Sequence, residues 1–231
     1  MKKIIVIGVI ALFICVGFQP AFATEPIIST DITKEDIEPK DYLFETIIEI
    51  ANNPDVQDFL EEYENNIFNF DYNGKYIFRQ LLFKNPELLF SMIFTKPVIT
   101  MKYLDKTYHQ GIELIDIFGE EKAYEILASV EISNPDIFND LHNIVSNNKE
   151  LSNRISTLEE LNEYNENLCN ILIILGFVKA LKMMVYTQIR DFFPKNTILY
   201  NIFHIRGEIV IFFLLVVVWL YVLAGCVLPE P

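Results

Sequence analysis

The chain has 231 residues, 52% of them hydrophobic, and carries 18 Lys and Arg against 32 Asp and Glu, a formal charge of −14. An acid excess of this size argues against nucleic acid as a partner, because binding phosphates takes a basic face. Three cysteines cannot build a disulfide framework, so apolar burial is expected to hold the fold.

The first element is a targeting segment. Lys2 and Lys3 precede an apolar run from Ile4 to Phe18, and Ala21-Phe22-Ala23 closes it. A basic start, a short apolar stretch and a small-x-small site define a secretory signal peptide over residues 1–23, either cut before Thr24 or retained as a second membrane helix. Residues 24–38 show no sustained period and are expected to form an extended leader.

From Pro39 the spacing becomes helical. Leu43, Phe44, Ile47, Ile48 and Ala51 fall on one face, with Asp41, Glu45, Glu49 and Asn52 opposite. Asn53-Pro54-Asp55 ends this helix and starts the next. Asn can cap, Pro at the first helical position surrenders no useful N–H, and an acid suits the positive end of the helix dipole. The same device recurs at Asn85-Pro86-Glu87 and Asn134-Pro135-Asp136. Its irregular spacing permits a short helical-repeat array, although a plain bundle uses such starts equally well.

The second helix carries a stripe of Val56, Phe59, Leu60, Tyr63 and Ile67. Further helices are predicted over 76–83, 88–94, 98–108, 112–118, 120–130 and 137–145, the 88–94 helix being apolar on most sides and so expected to be buried. Thr157 with Glu160 reads as a capping box opening a polar helix that runs into Leu168. The apolar run 171–178 is too short to span a bilayer, and Lys179 and Lys182 interrupt it. Within 171–186 the chain is therefore either a core helix or one lying flat on a membrane. Pro194 breaks the chain before a last helix that begins near Asn196.

Ile209 to Leu228 holds twenty residues without a charge. That length matches the roughly 30 Å hydrocarbon core of a bilayer and predicts a single transmembrane helix over 208–228, with residues 229–231 as a tail. Taken with the signal peptide, it places the body 24–208 outside the cytoplasm in a single-pass cell-membrane protein. Basic residues usually gather on the cytoplasmic side of a span, and here they lie upstream of it. Cys15 then falls in the signal and Cys226 in the anchor, which leaves Cys169 alone and no internal disulfide expected.

Charge divides the remainder. Residues 24–70 hold 13 acids and 2 bases and residues 111–166 hold 13 and 3, whereas 71–110 hold 3 and 6 and 167–207 hold 1 and 5. The expected organisation is an acidic helical body, 39–166, followed by a basic membrane-proximal helical neck, 167–207. Such a neck suits anionic headgroups at about 1 kcal/mol per basic residue. Solvated helix faces account for charge runs equally well.

Motifs that carry chemistry are few. Asn69, Asp71 and Asn73, followed by Gly74, resemble part of an EF-hand loop, in which oxygen ligands at alternate positions precede a glycine turn. Gln80 stands where that loop has its closing glutamate, so weak Ca²⁺ binding is the one metal or cofactor candidate. The same residues fit a hairpin turning at Asn73-Gly74 or an interhelical turn with Gly74 as the helix stop, and the helical patterns on both sides favour the latter. Asp105 and His109 share a helix face, but a metal needs three or four ligands and no second pair lies nearby. His204, Arg206 and Glu208 sit just above the anchor, where snorkelling to headgroups is expected. Neither a nucleophile elbow nor a phosphate loop occurs, and no catalytic residue can be named.

These features predict an all-α multi-helix bundle on a membrane anchor, serving as a non-catalytic module that binds an unidentified protein or packs in the envelope. An envelope enzyme assembled from distant residues would instead bring Asp105, His109, His142 and buried acids together in a deep pocket. A weak Ca²⁺-binding surface module is the third reading.

Overall fold

In a computed structural model, residues 38–62, 67–70, 74–95, 98–163 and 167–226 are described. The signal peptide, the leader up to residue 37 and the tail from residue 227 lie outside them. Ten helices are present among the described residues: α1 Pro39–Asn52, α2 Pro54–Glu62, α3 Gly74–Lys84, α4 Pro86–Phe94, α5 Met101–Phe118, α6 Glu120–Ala128, α7 Asp136–Asn147, α8 Lys149–Glu163, α9 Asn167–Arg190 and α10 Ile198–Leu223. Two short strands, β1 Phe68–Phe70 and β2 Val130–Ile132, complete the set. The fold is all-α.

Local chemistry explains most helix starts. The Asn53 side chain accepts from the N–H groups of Asp55 and Val56, and Asn134 accepts from that of Asp136, as their Asn-Pro-acid sequences require. Asn85 sits at the corresponding place but makes no side-chain cap bond. Asn148 is a cap that the sequence did not reveal. It accepts from Glu150 and Leu151, so the polar helix begins at Lys149, and Thr157 lies inside that helix bonded to the Asn153 carbonyl instead of opening it.

Two glycines mark places where α9 passes close to another helix. The helices predicted over 98–108 and 112–118 are one continuous α5, and Gly111 lies within it because α9 crosses there. A Cβ at Gly111 would overlap Ile174 Cγ2 and come within 3.0 Å of Val178 Cγ2. Gly74 begins α3 instead of ending a helix, and a Cβ there would stand 3.2 Å from Met184 Cβ on α9. Since Lys75, Tyr76 and Ile77 are helical, no hairpin turns at Asn73-Gly74. The preceding segment pairs instead with a distant partner, β1 running antiparallel to β2 with Phe68 opposite Ile132.

The centre of the molecule is an antiparallel hairpin of α9 and α10. Seven helices, α1, α3, α4, α5, α6, α8 and α10, contact α9. A repeat array would join each unit only to its neighbours, whereas here helices remote in sequence converge on one spine. Two apolar clusters lie along it. The first joins α1, α2, α7 and α8, through Phe44, Val56, Leu141 and Leu151, to Leu172 of α9 and Val216 of α10. The second joins α3, α4, α5 and α6, through Leu81, Met92, Leu114 and Ile126, to Leu181 of α9 and Val210 of α10.

Of the two placements open for residues 171–186, the structure selects the core: Leu175, Phe177, Val178, Ala180 and Leu181 are all inaccessible. Helix α4 departs from its expected burial, because Leu89, Met92 and Ile93 are covered while Phe90 and Phe94 face outward. Both α9 and α10 are long and apolar enough to cross a membrane. Protein encloses most of the apolar stretch of α9 and about half of that of α10.

Cys169, at the start of α9, is joined by a disulfide to Cys226, just past the end of α10, with their Cα atoms 5.6 Å apart. This corrects the expectation of an isolated Cys169. The apolar character of its helix puts Cys226 in an anchor, but α10 folds back along α9 and returns the residue to its partner.

Candidate functional site

A cleft of about 660 Å³ opens between the start of α1, the middle of α5, the start of α6 and the start of α9. Its wall carries Glu38, Lys40, Glu120, Tyr108 and Tyr124, and Asn167 and Asn170 complete the polar side. Ile171 and Ile174 of α9 supply apolar surface. The periodicity of α9 presents Asn170 and Ile174 to this opening on one helix face.

Lys40 is the best-defined charge here. Its Nζ donates to Asp105 Oδ1 at 3.2 Å and lies 5.9 Å from the centres of the Phe44 and Tyr108 rings. The hydrogen bond to Asp105 raises the Lys40 pKa, against a smaller opposing effect of burial. His109, one turn on from Asp105, approaches the same carboxylate at 3.6 Å. Asp105 thus lies between Lys40 and the His109 ring, in contact with solvent. His142 lies elsewhere, on α7, its ring 6.3 Å from that of Trp219 and bonded to Ser146. The residues that line the cleft include none of Asp105, His109 and His142.

Of the proposed Ca²⁺ ligands, Asn69 lies in β1 opposite Glu131, and Asp71 and Asn73 fall outside the described residues. Among the described residues no three His, Cys, Asp or Glu are grouped to hold a metal. Arg206, expected to snorkel, donates to the Ile93 carbonyl in the last turn of α4, where the helix leaves carbonyls unpaired. His204 pairs with Glu208 one turn along α10.

What the sequence did not reveal is the placement of two lysines. Lys179 and Lys182 are 0% and 1% exposed, in the middle of the spine. Lys179 donates to the Tyr103 hydroxyl at 2.7 Å and lies 3.8 Å from the centre of the Phe213 ring, while Lys182 faces Tyr103 at 5.2 Å. Burial drives the Lys179 pKa well below its usual range, and burial with a smaller contribution from Lys106 lowers that of Lys182 to about 7. The signal that could have found them was their position inside an apolar run. Spacing alone reads that position as a break in the run and leaves a core helix and a membrane-surface helix both open. Of the bases in 167–207, only Arg190, Lys195 and Arg206 lie outside the core.

These features define a class: an all-α bundle of two cores threaded by one disulfide-closed helical hairpin. Compared with known proteins, the chain matches no protein-family model, no curated protein and no solved structure.

Proposed function

We propose that the protein is an exported, membrane-associated helical module that works by binding another protein and not by catalysis. The observation that carries this reading is the charge around the first core. Asp41, Glu45, Asp55, Asp136, Glu159 and Glu160 are exposed on α1, α2, α7 and α8. Such a surface steers a basic partner by long-range attraction. The neighbouring cleft adds Glu38, Glu120 and two tyrosine rings, a setting that suits a Lys or Arg side chain through ion pairing and cation–π contact. Export is supported by the signal-like start and by the Cys169–Cys226 bond, since disulfides persist in oxidising compartments.

A photo-crosslinking residue at Glu159 or Glu120 in living cells tests the reading. A discrete adduct with a basic envelope protein, weakened by added salt, is the expected result. No adduct from either position would sink it. The enzyme reading has less support, because Asp105, His109 and His142 do not converge on the cleft. Spacing alone supports Ca²⁺ at Asn69, Asp71 and Asn73, and a melting curve unmoved by Ca²⁺ or by EDTA would dismiss it.

Membrane association can take two forms. In one, α10 stays in the bundle. In the other, favoured by the length and apolar character of α10, residues 209–228 cross the bilayer as an anchor and leave the body 24–208 outside. The docked form has better support than a span by α10 alone, because that span would carry Cys226 across the bilayer from Cys169. Non-reducing peptide mapping of the protein from native membranes tests the docked form: a linked Cys169–Cys226 peptide is expected, and a free Cys226 thiol would remove the argument against the span.

A further inference from the structure

We infer that one side of the second core, formed by α3, α4, the end of α9, the loop 191–197 and the start of α10, is a docking surface for an anionic bilayer. The inference deepens the membrane association proposed above and names the residues that make it. Among the described residues, eleven large apolar side chains are exposed, and all but Ile112 and Val222 belong to the two basic segments, 71–110 and 167–207. Phe83 is 81% exposed, Phe192 and Ile198 are each 71% exposed, and Phe90 stacks on Phe94 with both rings open to solvent.

These segments are remote in sequence, but the fold brings them together. The Tyr186 hydroxyl donates to the Met92 carbonyl, Arg206 holds the Ile93 carbonyl, and Phe193 stacks on Phe203. Helices α3 and α4, the end of α9, the loop 191–197 and the start of α10 therefore form one side of the molecule. Arg79, Lys84 and Lys195 are exposed on it beside Glu87, and Arg190, partly exposed, is paired with Asp191, which leaves the face a net positive charge.

Apolar side chains interleaved with bases match the boundary between headgroups and acyl chains, where rings can enter while guanidinium and ammonium groups stay among phosphates. Charge complementarity also fixes the orientation. The acidic helices of the first core would be repelled by the same lipids within a Debye length. A second copy of this chain is the less suitable occupant, because two such faces would bring like charges together.

The test uses the full-length oxidised protein in flotation with vesicles of phosphatidylcholine alone or mixed with phosphatidylglycerol. Binding to the anionic vesicles should be at least tenfold tighter and should weaken as salt is raised. The triple variant Arg79→Glu, Lys84→Glu, Lys195→Glu should lose at least tenfold. The pair Phe83→Ser, Phe192→Ser should lose severalfold with an unchanged melting curve, because both rings are exposed. Lys149→Glu, on exposed α8, removes a base from the other side and should leave binding as it was. Equal binding to both vesicle types, a Lys149→Glu loss as large as that of the triple variant, or a stable soluble dimer that covers the aromatic face would overturn the inference. The crosslinking at Glu159 does not depend on this surface, so failure here leaves the protein-binding proposal to its own test.

Discussion

Lys182 is a charge held where water cannot reach it, and its cost depends on pH. Its folded value of about 7 lies below the usual value of 10.5, so between those limits the unfolded chain binds the extra proton. Stability should therefore rise with pH from about 7 to 10.5, and below 7 the full cost of the buried ammonium should persist. Lys182→Met, similar in volume and uncharged, is expected to stabilise the protein at pH 7 by roughly 2–4 kcal/mol and by much less at pH 10.5. Urea unfolding at the two pH values measures both, and an unchanged midpoint at pH 7 would refute the account. Gly111 is the converse case, a residue defined by what has no room beside it. Gly111→Ala should cost about 1–3 kcal/mol by pushing α5 away from Ile174, despite the better helix propensity of alanine. A raised melting temperature would show that α9 yields at that crossing.

At the scale of elements, the helices that carried their own punctuation were legible in the sequence. The Asn53 and Asn134 caps fixed α2 and α7, and the apolar face of Leu43, Phe44 and Ile47 fixed α1. What was not legible rests on long-range contact. The pairing of β1 with β2 leaves no local period, nothing near Gly111 in sequence says that another helix passes over it, and the cleft is assembled from four separate helices. The apolar stretch of α10 shows the same limit physically. A helix half-enclosed by protein and one that faces lipid select the same residues, and length does not separate them. The disulfide bears on stability. Replacing Cys169 and Cys226 by serine frees the open end of the hairpin, a loop with a sequence separation of 57, and should cost about 2–4 kcal/mol in unfolding. Equal melting temperatures with and without reductant would contradict this.

For the whole molecule, the question is whether membrane contact leaves the bundle intact. Trp219 is the only tryptophan, buried in the first core beside His142, and it reports on the position of α10. When the protein binds anionic vesicles whose acyl chains carry bromine, Trp219 fluorescence is expected to remain unquenched. Quenching would mean that α10 has left its place for the hydrocarbon. The lysines argue against a similar departure by α9, since moving Lys179 and Lys182 to the bilayer centre would cost about 2.5–3.5 kcal/mol each.

Because α9 passes through both clusters, neither half has a core of its own to keep once the spine is removed. Outer helices can fray one at a time, but the amides in the middle of α9 can reach solvent only when both clusters open together. Hydrogen exchange should therefore grade outward from this helix, with Phe177 to Leu181 exchanging last and at a rate set by global unfolding. The pair of cores would then melt as a single cooperative unit.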